Sequence, residues 1–163
     1  METTKRDRDA TVDLFLEFSA DITAKNRMGN TPLHLASACG DLSTVKKLCM
    51  AKADINSRSN KGRTPLFVAA ENGGREVIAF LLNNKADASI LADGDEGVLH
   101  AAARCKRCHP HTIQWLLDAG AGVHARSGDL KTPLMLASES VLDCLIEDLY
   151  SKVSPSSAAP WQM

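Results

Sequence analysis

Apolar residues recur along this chain in short blocks that are separated by polar turns. Within the longer blocks they fall three or four residues apart, which is the spacing of one buried helix face. Val45 and Leu48 form the first clear block, and two later blocks repeat it: Val77, Ile78, Leu81, Leu82, Ile113, Leu116 and Leu117. A shorter block rich in Leu and Ala precedes each of them. The pattern therefore predicts pairs of short helices.

The polar turn and the first helix of each pair repeat along the chain. Residues 29–36 read GNTPLHLA, and residues 62–69 read GRTPLFVA, 33 positions later. A degraded copy, GVLHAA, begins at residue 97, and KTPLMLA begins at residue 131. A fixed period of this size predicts stacked units that share a core with their neighbours, in place of one globular core.

Turn and capping residues support the same elements. Gly29 and Gly62 stand where a tight turn requires positive φ, and Gly40 and Gly73 stand where a left-handed helix C-cap is expected. Thr can cap a helix through its hydroxyl, and Pro at the first helical position gives up an amide that has no partner. This pair begins three of the predicted helices: Thr31-Pro32, Thr64-Pro65 and Thr132-Pro133.

The turn, the Thr-Pro-Leu-His motif, the paired helices and a closing Ala-Asp with an extended segment together resemble the ankyrin repeat. The resemblance covers roughly residues 12–149 and is most specific at the two full copies. It implies an all-α ankyrin-repeat solenoid of stacked helix-turn-helix units with short hairpin-like turns. It also implies a non-catalytic protein–protein interaction module: an adaptor, an inhibitor or a recognition scaffold that binds a partner on its concave face.

The predicted units have these boundaries: a partial N-terminal repeat or cap at 1–25, repeats at 26–58, 59–91 and 92–126, a shortened C-terminal repeat or cap at 127–150, and a flexible tail at 151–163. We call the first five of these the first to fifth units. The fourth unit has Asp95 in place of the turn glycine, lacks the Thr-Pro pair, and gains two residues between its helices. The fifth unit is predicted to end in an amphipathic helix at residues 141–150.

The first unit departs most from the pattern. Residues 12–25 match only the second half of a unit, and the charged stretch before them is too polar and too short for a first helix. Either the initial helix, with Phe15 and Phe18, is an improvised cap, or the chain is a piece of a longer array; we favour the second explanation. Because a terminal unit needs a polar outer face, we expect a monomer unless this end is left uncapped.

Composition and charge argue against several classes of function. The net charge of the 163 residues is −1, which removes the electrostatic case for binding nucleic acid. No stretch is apolar enough for membrane insertion, and the charged start does not have the pattern of a signal peptide. Five cysteines, an odd number, indicate free thiols in a reducing compartment, so we expect an intracellular protein of the cytoplasm or nucleus.

The insertion in the fourth unit offers the main chemical alternative. It contains Cys105, Cys108, His109 and His111, and Cys-x-x-Cys is a spacing found in zinc sites. Cys-x-x-Cys-His is also the attachment spacing of c-type haem, which requires an export route. The alternative function is thus a metal- or redox-responsive protein that uses the Cys105–His111 loop. The competing interpretation, which we favour, is a surface loop with incidental thiols.

For the remaining histidines and cysteines, the sequence favours structural roles. In the ankyrin pattern, a His at the position of His34 and His100 ties neighbouring turns together by hydrogen bonds. Cys49 and Cys144 fall on apolar helix positions and are predicted to be buried. No nucleophile–base pair, phosphate-binding loop or paired-carboxylate motif is present in the sequence, so neither catalysis nor a cofactor is predicted.

One modification site is suggested by the resemblance. Leu48 followed by Asp54-Ile55-Asn56 matches the pattern on which an asparaginyl hydroxylase acts in many ankyrin proteins. Asn56 is therefore a candidate for β-hydroxylation.

A partner surface also follows from the resemblance, because in ankyrin proteins the turn tips and the exposed side of the first helix form the concave face. Those positions vary between copies while the framework recurs. The predicted contact residues are Arg27, Met28, Asn30, Cys39, Asn60, Lys61, Arg63, Glu71, Asn72, Asp93, Glu96, Arg104, Cys105, Asp129, Lys131 and Glu139. Their charge shades from basic to mixed and acidic along the chain, which predicts an acidic patch on the partner near the second and third units.

Overall fold

The computed structural model describes residues 2–106 and 108–137. In these residues the chain forms eight helices: α1 (Glu2–Glu17), α2 (Pro32–Cys39), α3 (Leu42–Met50), α4 (Pro65–Asn72), α5 (Arg75–Asn83), α6 (Val98–Arg104), α7 (Pro110–Asp118) and α8 (Pro133–Leu136). The only β-type pairing within them is an isolated antiparallel bridge between Ala92 and Glu96. The predicted helix at 141–150, the tail and Cys144 lie outside the described residues.

The helices form two layers. The first helices of successive units pack side by side, α2 on α4, α4 on α6 and α6 on α8. The second helices form the other layer, with α1 on α3, α3 on α5 and α5 on α7. In the second, third and fourth units the first helix also packs on its own second helix, as α2 does on α3. The all-α solenoid predicted from the period is therefore confirmed.

The core runs between the layers and is continuous from one unit to the next. The Leu that follows the Thr-Pro pair is buried in successive copies, as Leu33 and Leu66 are. The second helices contribute the branched residues that the periodicity predicts, and Val45 and Ile78 are fully buried. Small Ala side chains such as Ala69 are fully buried as well and allow close helix packing.

Helix α1 belongs to the layer of second helices, which agrees with the match of residues 12–25 to the second half of a unit. It is one continuous helix that begins at Glu2, well before the point where the apolar pattern starts. No helix of the described part of the chain is long and apolar enough to cross a membrane.

The helix caps follow the predicted chemistry. Gly40 and Gly73 end α2 and α4 with φ of 68° and 74°, as expected. The Thr64 hydroxyl accepts a hydrogen bond from the amide of Phe67 at 3.2 Å. The segment that closes the second unit differs from its prediction: in place of an extended segment, a turn forms in which Asp54 Oδ1 accepts the amide of Asn56 at 3.0 Å. A short acid side chain closes this turn by satisfying a backbone donor.

The fourth and fifth units keep the backbone path without the glycines that favour it. Asp95 has a φ of 58° and Leu130 a φ of 60°, at the positions that Gly29 and Gly62 occupy with φ of 74° and 66°. The left-handed conformation is sterically costly for a residue with a Cβ, and Asp tolerates it better than Leu. Packing of the surrounding helices therefore determines the turn, and the local residue does not.

Candidate functional site

The candidate site lies on the side predicted to be the concave face, where the turn tips are stacked by backbone hydrogen bonds. The Asn60 amide donates to the carbonyl of Met28 at 3.0 Å, and the Asp93 amide donates to the carbonyl of Lys61 at 3.0 Å. The Asn60 side chain adds a bond from Nδ2 to the carbonyl of Arg27, also at 3.0 Å. Each tip is thus tied to the next unit, so the side chains around it are held in place.

Buried His34 ties the second unit to the third. Its Nε2 lies 2.9 Å from the carbonyl of Arg63, and a carbonyl can only accept, so Nε2 carries the proton. Nδ1 then accepts from the Thr31 amide at 3.2 Å and lies 2.8 Å from the Thr31 hydroxyl. Burial lowers the pKa of His34, and the bond to Arg63 opposes this only in part. The role predicted for His34, a tie between turns, is confirmed.

The equivalent link recurs two units further on, between the fourth and fifth units, but is missing between the third and fourth units. His100 Nε2 lies 3.1 Å from the carbonyl of Lys131, and its Nδ1 accepts the amide of Gly97 at 3.1 Å. Between these two histidines, the same position holds Phe67, which has no hydrogen-bonding group in its side chain. The predicted role of His100 is also confirmed.

A groove of about 430 Å³ opens between the second and third units. Seven of the predicted contact residues line it: Met28, Asn30, Asn60, Lys61, Arg63, Glu71 and Asn72. Three lining residues were missed by the sequence analysis: Ala38, Ser59 and Val68. Ser59 could have been found, because Ser127 stands at the equivalent turn position and both hydroxyls accept a turn amide.

Two ion pairs on the concave face join a turn residue to a helix residue, with opposite polarity in neighbouring units. In the third unit, Arg63 on the turn contacts Glu71 on α4 at 3.0 Å. In the fourth unit, Glu96 on the turn is held by both terminal nitrogens of Arg104 on α6, one at 2.8 Å. The bonds from Arg104 lower the pKa of Glu96, and burial opposes the shift.

These pairs change the predicted charge distribution. Arg63 does not contribute a free positive charge to the second and third units, because Glu71 neutralises it. The remaining gradient lies at the turn tips, where exposed Arg27 and Lys61 give way to exposed Asp93 and Asp129. The face is therefore basic at the tips beside the groove, acidic at the tip of the fourth unit, and mixed at the fifth, where exposed Lys131 lies near Asp129.

The remaining predicted contact residues lie outside the groove. Cys39, Asp93, Arg104, Asp129 and Lys131 are exposed, and Glu96 is half-buried. Glu139 falls outside the described residues.

Cys105 is an incorrect prediction, because only 7% of its surface is accessible. The two-residue insertion changes the path after α6, so the register of the other units does not apply to Cys105.

The Cys-x-x-Cys-His segment connects two helices. The prediction of a surface loop with incidental thiols is wrong for its cysteines, because Cys105 and Cys108 are both buried. Burial, with a smaller effect of neighbouring Cys105, raises the pKa of the Cys108 thiol to about 12. His109 Nδ1 accepts the amide of His111 at 3.2 Å, which caps α7.

Metal binding gains no support from this geometry. Within residues 2–106 and 108–137, no three His, Cys, Asp or Glu side chains converge as a metal site would need. Burial of the Cys108 thiol and its raised pKa disfavour the thiolate, which is the form that binds a metal. Cys49 is half-buried, and burial raises the pKa of its thiol as well.

Asn56 takes part in a contact between units. Its Oδ1 accepts the amide of Asp87 from the next unit at 2.9 Å, while its own amide donates to Asp54. Modification at Cβ would have to approach a half-buried side chain that holds two turns together. Hydroxylation of Asn56 stays a prediction.

Comparison with known families agrees with the architecture. A family model described as ankyrin repeats (3 copies) matches residues 1–93, and one described as ankyrin repeat matches residues 97–128. No curated protein shows significant similarity to the chain. Proteins with these repeats generally mediate protein–protein interaction and are typically non-catalytic scaffolds. The stacked helix pairs, the glycine turns and the extent of these matches show that this chain belongs to the ankyrin-repeat family.

Proposed function

We propose that this chain is a non-catalytic recognition module, acting as an adaptor, an inhibitor or a scaffold, that binds a segment of a partner protein in the concave groove. One observation carries the proposal: seven residues that vary between repeats line a single groove of about 430 Å³. Their backbone is fixed by the turn ladder and by the His34 link. A surface that is ordered before binding loses little entropy when the partner docks.

The groove favours a partner segment that combines an acidic and an apolar side chain. Met28 is 60% exposed at one side of the groove and offers apolar area to a partner. Lys61 projects from the adjacent turn tip and is exposed, whereas Arg63 is already paired with Glu71. An acidic side chain near Lys61 would therefore gain an unsatisfied charge partner and faster association.

A protein partner is favoured over a nucleic acid because the basic groups on this face are few and one of them is neutralised. Binding a phosphate backbone depends on several free Lys or Arg side chains. The four cysteines of the described residues are free thiols, which supports action in a reducing compartment, the cytoplasm or nucleus.

The proposal is tested by selecting peptides from a random displayed library against the full chain. We expect the selected peptides to combine Asp or Glu with a large apolar residue. Lys61→Glu should weaken their binding by about tenfold, in the range for charge reversal beside a bound acid. Lys85→Glu is the matched control, since Lys85 is also exposed but lies just after α5 and does not line the groove.

Two outcomes would contradict the proposal. One is a set of selected peptides without acidic residues. The other is equal loss of binding by Lys61→Glu and Lys85→Glu, which would mean that net charge, and not the groove, controls recognition. Met28→Ser provides an uncharged second variant and should also weaken binding.

A further inference from the structure

Four charged side chains of alternating sign lie together where the third unit meets the fourth. Arg63 pairs with Glu71, and Arg104 pairs with Glu96. The two pairs also interact with each other. Besides the bonds from Arg104, the charge of Arg63 lowers the pKa of Glu96, and besides the bond to Glu96, the charge of Glu71 raises the pKa of Arg104. Each acid therefore interacts with both arginines, and we call these four residues the charge quartet.

The quartet follows from the register of the repeat. A backbone bond that closes each turn marks the first position, where Asn30, Arg63 and Glu96 are the acceptors. The second position lies eight residues later, on the first helix, and holds Ala38, Glu71 and Arg104. The second unit is uncharged at both positions, and its two residues line the groove. The charges on the helical floor of the face therefore begin at the third unit.

Arg63 is held at its backbone and at its side chain. Its amide donates to Ser59 Oγ at 3.2 Å, and its carbonyl accepts the His34 ring at 2.9 Å. Its guanidinium lies over the Phe67 ring, 5.3 Å from the centre of that ring. The side chains of Arg63 and Glu71 are only 31% and 35% exposed. These contacts together keep Arg63 in its pair when a partner approaches.

An acidic group of a partner is not attracted equally to all the cations of this face. A carboxylate that approaches Arg63 also approaches Glu71, and the quartet as a whole has no net charge. Attraction to the guanidinium is therefore offset by repulsion from the paired acid. Lys61 lies outside the quartet, at the exposed turn tip beside the groove. An acidic group gains more at Lys61 than over the helices.

We propose that Glu71 and Glu96 are specificity-determining residues of the concave face. They neutralise Arg63 and Arg104, so the face accepts one acidic group at the Lys61 tip and an uncharged stretch of the partner over the quartet. Discrimination of this kind depends on unfavourable contacts with the wrong partner as well as favourable contacts with the right one. The inference rests on the proposed function and adds to it the number and the place of the partner's acidic residues.

Inorganic phosphate tests the neutralisation without a partner protein. The full chain is titrated with phosphate at constant ionic strength, while NMR follows the Nε–Hε signals of Arg63 and Arg104. Glu71→Gln removes the charge of this side chain and keeps its shape. The Arg63 signal should then respond at a phosphate concentration about twofold to fivefold lower than in the wild type, the range of a partly exposed ion pair. Glu96→Gln should have the same effect on Arg104.

Glu76→Gln is the matched control. Glu76 is an exposed acid in the first turn of α5, in the layer of second helices, and it does not line the groove. Its substitution changes the net charge of the chain by the same amount as Glu71→Gln. The Arg63 signal should therefore respond to phosphate as it does in the wild type.

Peptide selection from the displayed library provides the second measurement. Peptides selected against the wild type should carry one Asp or Glu. Peptides selected against Glu71→Gln should carry one more, because Arg63 is then available to a second acid. Peptides selected against Glu76→Gln should resemble those of the wild type.

Two results would overturn the inference. One is an Arg63 signal that responds to phosphate equally in the wild type and in Glu71→Gln, and the other is a set of peptides from Glu71→Gln with no additional acid. Neither result affects the proposed function, which fails instead when the selected peptides lack acidic residues or when Lys61→Glu and Lys85→Glu weaken binding equally. The phosphate titration still decides the inference in that case, because it needs no peptide.

Discussion

The solenoid contains a regular region, residues 26–91, and an irregular region, residues 92–137, and both follow the same backbone path. The regular region has glycine at its turns and Thr-Pro at its helix starts. The irregular region has Asp95 and Leu130 at the turns, in the same left-handed conformation. Its helices nevertheless bury their core, as Leu99 and Leu116 show. Packing between units therefore determines the fold, while turn residues adjust its stability.

One glycine from each region shows how the surroundings of a turn residue differ. A Cβ added at Gly29 would collide with Asn60, lying 2.5 Å from its backbone nitrogen, because the tips of the second and third units are in contact. A Cβ at Gly94 would meet no atom within 4 Å. The two glycines have the same φ of 74°. Substituting each of them therefore separates the effect of packing on stability from the effect of backbone strain.

The largest expected effect is that of Gly29→Ala. It should lower the free energy of unfolding by about 3 kcal/mol, the sum of left-handed strain and overpacking. Gly94→Ala should cost about 1 kcal/mol or less, since it introduces only the strain. Guanidinium unfolding curves of the two variants check this. Equal losses would mean that the turn ladder is not the rigid contact described.

An effect of intermediate size is expected when pH is changed. Protonation of His34 in the regular region should alter the free energy of unfolding. The folded pKa of His34 is lowered from 6.5 by burial, so below pH 6.5 the unfolded chain binds more protons than the folded chain. The free energy of unfolding should therefore fall as pH decreases from 6.5 through the folded pKa of His34, and level off below it.

His34→Gln should make stability less dependent on pH in that interval, because it removes the titrating group. Unfolding curves collected across the interval, with NMR titration of the His34 ring, provide the measurement. A wild-type stability that is constant over the interval would contradict the neutral hydrogen-bonded state of His34.

The smallest expected effect is a gain in stability from a substitution in the irregular region. Leu130→Gly should raise the free energy of unfolding by about 0.5 to 1 kcal/mol, because relief of left-handed strain exceeds the added entropy of the unfolded chain. Leu130 is 67% exposed, so little packing is lost. Asp95→Gly should give a smaller gain, since Asp tolerates this conformation. Destabilisation by Leu130→Gly would show that its side chain makes an important contact.

Most of the fold was predictable because its signal is repeated. The 33-residue period identified the helix pairs, and the predicted contact positions include seven of the ten residues that line the groove. Alignment of the period would also have placed Leu130 in a left-handed turn, although the preference of Leu alone argues against it. The polarity of the ion pairs was readable too, since Arg63 and Glu71 align with Glu96 and Arg104.

Other features depended on contacts that the period does not encode. The burial of Cys105 and Cys108 follows from the path of the insertion, which has no counterpart in the other units. The start of α1 at Glu2 was missed, because the search for apolar periodicity does not detect a helix in a charged segment. The exposure of Phe15 required the three-dimensional stack, since the sequence marks it only as a helix residue.

The reversed ion pairs affect the electrostatic field that a partner meets as it approaches the concave face. Arg63–Glu71 and Glu96–Arg104 act as two local dipoles of opposite direction on neighbouring units. Their fields largely cancel beyond about 10 Å, the screening length at 0.1 M salt. An approaching molecule is therefore oriented by the turn tips alone, and it meets the alternating pattern of the helices only at contact, where that pattern can reject a mismatched surface.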